Sequence, residues 1–128
     1  MTAADIADWL ATELARTLGV DLFDTALPDD VDEALVVRDY AGAPPAFEHN
    51  QQAPVLNYPR VQIEARNPSV ANAYIDAESA YATLNTLRNV DINGKRYSAQ
   101  ALQYPFWLRQ DGQNRHYVVF NVALTVAG

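Results

Sequence analysis

Apolar and polar residues alternate strictly over residues 60–66, and this alternation predicts a β-strand. The apolar residues of the segment fall on one side, which we expect to face the core. Arg60, Glu64 and Arg66 fall on the other side, where they must meet water or a partner. We interpret this charged face as an assembly surface.

Apolar residues spaced by three and four positions predict two helices. The first covers about residues 3–18 and ends at Gly19. The second follows Asn67, a residue type that caps helix N-termini, and Pro68, which a helix tolerates at its first position. Its stripe of alanines, which continues to about Leu87, predicts close packing of this helix on a sheet.

The remaining apolar runs predict the other strands of that sheet. Short strands at 20–23 and 35–37 flank an acidic turn, the Asn93-Gly94 pair predicts a hairpin turn, and residues 97–108 are expected to be extended. The last strand, 116–126, carries apolar residues on both faces. We therefore expect it to be central in the sheet or to be covered, for instance by another subunit.

Residues 41–57 contain three prolines and no periodicity, which predicts a long loop. Phe47, the large apolar residue at its centre, either tucks back onto the domain or docks on a neighbouring subunit. Together the elements predict an α+β fold, with one domain over residues 1–128, a mostly antiparallel sheet and two helices packed on one of its faces. The other face is then free for water or for subunit contacts.

Composition narrows the class of protein. A chain of 128 residues with 49% hydrophobic and 20% charged residues is typical of one folded domain. Its formal charge of −7 disfavours tight nucleic-acid binding, because the protein would repel phosphates. The N-terminal segment lacks a basic region and no apolar run approaches the ~20 residues of a membrane helix, so we expect neither a secretion signal nor a membrane segment.

The residues that catalysis or metal binding requires do not occur in recognisable patterns. The chain has no cysteine, none of its three serines lies in a Gly-x-Ser-x-Gly motif, and His49 and His116 stand alone. The acidic turn of residues 24–33 lacks the glycine and the ligand spacing of a calcium-binding EF-hand loop. The glycines are scattered singly and form no phosphate-binding loop. We therefore expect no enzyme, no cofactor and no metal site.

Several segments carry a resemblance to a known family. The acidic turn at 27–32, the strand with its proline pair at 35–45, and the strand at 59–66 that precedes a helix are similar to those of the minor capsid or tail-terminator proteins of long-tailed bacteriophages. The C-terminal part shows the family's order as well, with Pro105, Asp111-Gly112, Arg115 and the strand 117–122.

The resemblance implies a structural virion protein that caps the tail tube as a ring, typically of six copies, ends tail growth and presents the surface on which the head docks. It implies further copies, the tail tube protein and the head–tail connector as partners, while DNA passes through the ring without specific binding. It implies assembly in the host cytoplasm and a final place at the head–tail junction of the virion. In such a ring, we expect Arg60, Glu64 and Arg66 to pair with acids of the neighbouring subunit, and the loop around Phe47 to reach across.

Two other functions fit the same residues. One is a head-completion or connector protein of the head–tail junction, which would share the small ring-forming design. The other is a small enzyme or ligand-binding module, with a pocket formed by aromatic side chains. The candidates for that pocket are Tyr74, Tyr81, Tyr104 and Trp107.

Overall fold

The computed structural model describes residues 2–47 and 54–127, and within them the chain forms two helices and seven strands. The helices are α1 (Thr2–Glu13) and α2 (Val70–Leu84). The strands are β1 (Leu22–Asp24), β2 (Ala34–Phe47), β3 (Pro54–Asn67), β4 (Val90–Ile92), β5 (Lys95–Ala101), β6 (Phe106–Gln110) and β7 (His116–Ala127). This is the predicted α+β class. No helix in the described residues is long and apolar enough to cross a membrane.

The strands form one mostly antiparallel sheet in the order β1-β2-β3-β7-β5-β4, and only β1 and β2 run parallel to each other. β7 is central, because it pairs with β3 along one edge and with two strands along the other. β5 pairs with the C-terminal half of β7, and β6 with its N-terminal half. The prediction from the apolar residues on both faces of this strand is therefore confirmed.

The core contains residues from both helices and from the central strands. Val61 and Ile63 of β3 pair directly with Val122 and Phe120 of β7, so the four side chains share one face of the sheet. The alanine stripe of α2 is fully buried against this cluster, as its short side chains allow. That both helices pack on one face of the sheet stays a prediction.

The helix boundaries differ from those predicted. α1 ends at Glu13 rather than at residue 18, because Ala15 adopts a left-handed conformation with φ of 54° and the amide of Arg16 donates back to the carbonyl of Ala11 at 2.8 Å. α2 is capped by Ser69 rather than by Asn67: the Ser69 hydroxyl accepts the amide of Asn72 at 3.3 Å.

The prediction of a long loop at residues 41–57 is wrong. β2 and β3 continue through most of this segment as an antiparallel hairpin, and residues 48–53 lie outside the described part of the chain. The prolines that suggested a loop coincide with register shifts: Ala43 pairs with Tyr58 and Ala46 with Leu56, so that Pro44-Pro45 forms a bulge. A bulge tolerates proline because its residues need not donate to the hydrogen-bond ladder.

Candidate functional site

Two of the four residues predicted for a subunit interface are buried within their own subunit. Glu64 and Arg66 are each only 4% exposed. The Arg38 guanidinium donates a hydrogen bond to Glu64 across the β2–β3 pair. Arg60 is partly exposed, and the side chain of Phe47 lies outside the described part of the chain. The charged strand face is therefore largely occupied by contacts within the domain.

Arg66 contacts the acidic turn. Its guanidinium donates to the backbone carbonyls of Pro28 and Val31, which holds the turn across the ends of β3 and β7. Period-2 alternation correctly placed Arg66 opposite the core, but it could not show that a distant turn folds over this position. No local signal in the sequence marks that contact, since the partners are backbone atoms more than thirty residues away.

A second buried arginine fastens the same turn to the β6–β7 turn. Arg115 donates to the carbonyl of Asp29 at 2.6 Å, to the Asp29 carboxylate at 3.0 Å and to the Asp111 carboxylate at 2.9 Å. Burial alone would raise the pKa of Asp111, but the backbone amide of Arg115 and the hydroxyl of Tyr117 hold it well below its usual range. The acidic turn is thus a fixed part of the domain rather than a free loop.

The described residues contain no group of histidine or acidic side chains arranged to hold a metal ion. His116 accepts a hydrogen bond from the Trp107 indole at 3.1 Å, and His49 lies outside the described residues. A polar cleft of about 480 Å³ lies beside Asp76, which forms an ion pair with Arg16 at 3.1 Å. Burial raises the pKa of the Asp76 carboxyl despite this partner. The pair links the segment after α1 to α2, which accounts for it structurally.

The aromatic side chains proposed as a pocket do come together, but at the surface. The rings of Tyr81 and Tyr104 meet edge to face with centroids 5.2 Å apart, and the Tyr74 hydroxyl accepts the backbone amide of Trp107 at 3.0 Å. Tyr104 and Trp107 are about half exposed. This cluster therefore does not enclose a buried ligand.

The same region exposes large apolar side chains on both sides of the β6 strand, which sequence patterning did not identify. We call this surface the β6 band. Its five large side chains are between 40% and 55% exposed: Leu102, Tyr104, Phe106, Trp107 and Leu108. The unbroken apolar run Tyr104–Leu108 is the signal for this surface, whereas the pattern over residues 97–108 predicts only an extended segment. Surfaces of this kind mark contacts with other proteins.

The backbone of β6 is open as well. β6 pairs with β7 along one edge, and no strand in the described residues pairs with its other edge. All five residues of β6 are exposed. An open strand edge flanked by apolar side chains can take up another polypeptide through backbone hydrogen bonds and side-chain packing together. The arrangement is suited to assembly rather than to chemistry on a small molecule.

Comparison with known proteins points in the same direction. A family model described as "Bacteriophage tail terminator protein" matches residues 3–127. A solved structure of a protein without a functional name has a TM-score of 0.53 to this chain at 17% identity, and the match covers 99% of this chain and 91% of that one. At this identity the similarity shows the fold alone. No curated protein gives a significant match.

Proposed function

The chain belongs to the bacteriophage tail terminator protein family, and from this membership we propose that it caps the finished tail tube as a ring of six copies. The family is one of structural phage tail proteins, so the protein is a virion component that interacts with other tail and head proteins. In the proposed ring it ends tail growth and provides the surface on which the head docks. Assembly takes place in the host cytoplasm, before the tail joins the head.

The observation that carries this proposal is the family match over residues 3–127. The β6 band supports it physically, because a ring subunit must expose two different surfaces that meet head to tail on neighbouring copies. An exposed apolar surface with an open strand edge meets the requirement for one of them.

The four residues predicted for the subunit interface enter this proposal with different roles. Arg60 is accessible and Phe47 lies at the end of the β2–β3 hairpin, so both are proposed to contact a neighbouring copy directly. Glu64 and Arg66 act indirectly, because both are buried and bonded inside their own subunit. They hold the strand and the acidic turn in the conformation that the ring requires.

DNA is proposed to pass through the ring without specific binding. A ring of copies that each carry a formal charge of −7 repels the phosphate backbone, which favours passage over retention. We expect electrophoretic mobility of duplex DNA to be unchanged by the capped tubes at ordinary ionic strength. A salt-sensitive shift would contradict this part of the proposal.

The capping activity is tested by adding the purified protein to growing tail tubes and measuring tube lengths by electron microscopy. We expect elongation to stop, and a gold label on the protein to lie at one tip of each tube. Native mass spectrometry of the isolated cap measures the number of copies, for which we expect six. Tubes that grow as long as without the protein, with no label at their tips, would refute the proposal. Binding to tail-free heads instead would indicate a head-completion protein.

A further inference from the structure

We infer that the β6 band of one copy packs against the β1 edge of a second copy, so that neighbouring subunits meet through opposite ends of their sheets. The β1 edge is the outer side of β1 together with the turn before it, where Leu18, Val20 and Asp24 are exposed. The inference rests on the proposed ring and specifies which surfaces close it.

The exposed apolar area of the β6 band can be compared with the apolar area that a stable protein–protein interface buries. Taking roughly 200 Å² for each large side chain, the exposed fractions of the five residues correspond to roughly 450 Å² of apolar surface. A stable interface buries about 800 Å² on each partner, of which somewhat more than half is apolar. Phe106 and Trp107 point to opposite faces of the sheet, so this area flanks the β6 edge on both sides. A partner that adds to the edge itself would contact both parts of it.

The outer edges of β2 and β6 differ in sequence. The outer edge of β2 beyond Tyr40 carries bulges and the Pro44-Pro45 pair, devices that discourage further strand pairing. β6 carries one register shift, between Trp107 and Arg109, but it has no proline and no lysine, and its only charge is Arg109 near its end. An edge with this lesser protection, flanked by apolar side chains, is expected to be covered in the assembled state.

Charge favours a second copy as the partner. The charged residue of β6 is Arg109, which is exposed at the end of the β6 band and stacked on the ring of Tyr117 at 3.8 Å. The β1 edge carries Asp21 and Asp24, and residues 17–24 contain no basic side chain. Head-to-tail contact brings the opposite signs together, while two identical edges would repel each other.

The sheet topology favours a head-to-tail contact between two different surfaces over a contact between two identical ones. β1 is the first strand in the sheet order, and β6 lies on the far side of β7, towards the other end. Two different patches at opposite ends of one sheet form a heterologous interface, which closes into a ring when the rotation between copies is right. The apolar side chains on the β1 edge, Leu18 and Val20, provide a surface for the band to bury against.

Photo-crosslinking tests the inference directly. The crosslinker p-benzoylphenylalanine replaces Leu108 in the β6 band or, in a matched control, Ile75, which is equally apolar and exposed but lies on the outer side of α2. The purified proteins are irradiated alone and on capped tail tubes, and the joined peptides are identified by mass spectrometry. We expect the Leu108 variant to join a second copy within residues 14–33, and the Ile75 variant not to do so.

A charge substitution gives an independent readout. We expect Leu108→Glu to weaken self-association by more than about tenfold, since it places a carboxylate in a buried apolar contact, and Ile75→Glu to leave it unchanged. Circular dichroism checks that both variants fold. Crosslinks from position 108 to the tube protein, to the connector or to another segment of a second copy would overturn the inference, as would an unaltered Leu108→Glu. Tube capping by the unmodified protein is measured separately, so a failure of the proposed function is recognised by tubes that keep growing, whatever the crosslinks show.

Discussion

Replacing Tyr97 by phenylalanine should lower the free energy of unfolding by about 1.5–3 kcal/mol, because it removes one hydrogen bond to a buried carboxylate. Tyr97 lies on β5, is 1% exposed and donates its hydroxyl to Asp5 of α1. Asp5 also accepts the side-chain amide of Asn93 at 2.8 Å. These contacts fasten the first turn of α1 to the β4–β5 hairpin.

The expected loss of unfolding free energy follows from the contacts that the aromatic ring and Asp5 keep after the substitution. Phenylalanine fills the same space as tyrosine apart from the hydroxyl, so the packing of the ring is preserved. Asp5 keeps its bond from Asn93 but loses the second donor while it stays buried. A hydrogen bond to a charged group contributes about 1.5–3 kcal/mol, roughly twice the contribution of a neutral pair.

The pH dependence has a definite sign. Burial alone would raise the pKa of Asp5, but the hydrogen bonds from Tyr97 and Asn93 outweigh it and lower the pKa below its ordinary value of 3.8. A carboxyl with a lower pKa in the folded state contributes stability above its unfolded pKa and loses it as pH falls through the folded value. The cost of Tyr97→Phe should therefore be full at neutral pH and shrink below about pH 4.

Urea unfolding followed by circular dichroism, at pH 7 and at pH 3, measures both effects. Tyr104→Phe is the matched control, because its hydroxyl lies on a half-exposed side chain and its removal should change stability by less than about 0.5 kcal/mol. Repeating the titration at several protein concentrations separates subunit stability from assembly. Equal effects of the two substitutions, or a cost for Tyr97→Phe that does not shrink in acid, would refute the reasoning.

Three further substitutions test other contacts of the sheet and α2 by the same urea titration. Arg66→Ala should cost about 2–4 kcal/mol, because it removes the hydrogen bonds from a buried guanidinium to the carbonyls of Pro28 and Val31. Arg60→Ala on the same strand should cost less than about 0.5 kcal/mol, and similar costs would contradict the buried role of Arg66. Ala77→Leu should cost about 1–3 kcal/mol, because it overpacks the contact between α2 and the sheet. The same substitution at the exposed Ala82 should be tolerated. If both are tolerated, α2 is not closely packed at Ala77. Ser69→Ala should cost about 1 kcal/mol through loss of the helix cap, and no change would show that the cap is dispensable.

The resemblance carried by the acidic turn, the proline pair and the strand before α2 is confirmed by the family match over residues 3–127. The resemblance could be recognised from the sequence because it rests on the order of segments, which does not depend on their contacts.

The prediction of an aromatic pocket was correct only in part. Its side chains gather as predicted, but spacing along the chain carries no information about whether a cluster closes over a cavity or remains at the surface.

The sequence by itself determined the elements that depend on neighbouring residues. Alternation specified the β3 and β7 strands, and the Asn93-Gly94 pair specified the β4–β5 turn, where both residues adopt positive φ. These features are local, since side-chain direction and turn conformation are set within a few residues.

Tertiary structure alone decided which polar and apolar side chains meet solvent. Arg66 is buried because a turn more than thirty residues away folds over it, and the β6 band is exposed because β6 takes the outer edge of β7 with nothing in the described chain beyond it. The proline-rich segment became a hairpin because bulges in the β2–β3 register accommodate its missing donors. Each outcome depends on partners distant in sequence, which no local pattern encodes.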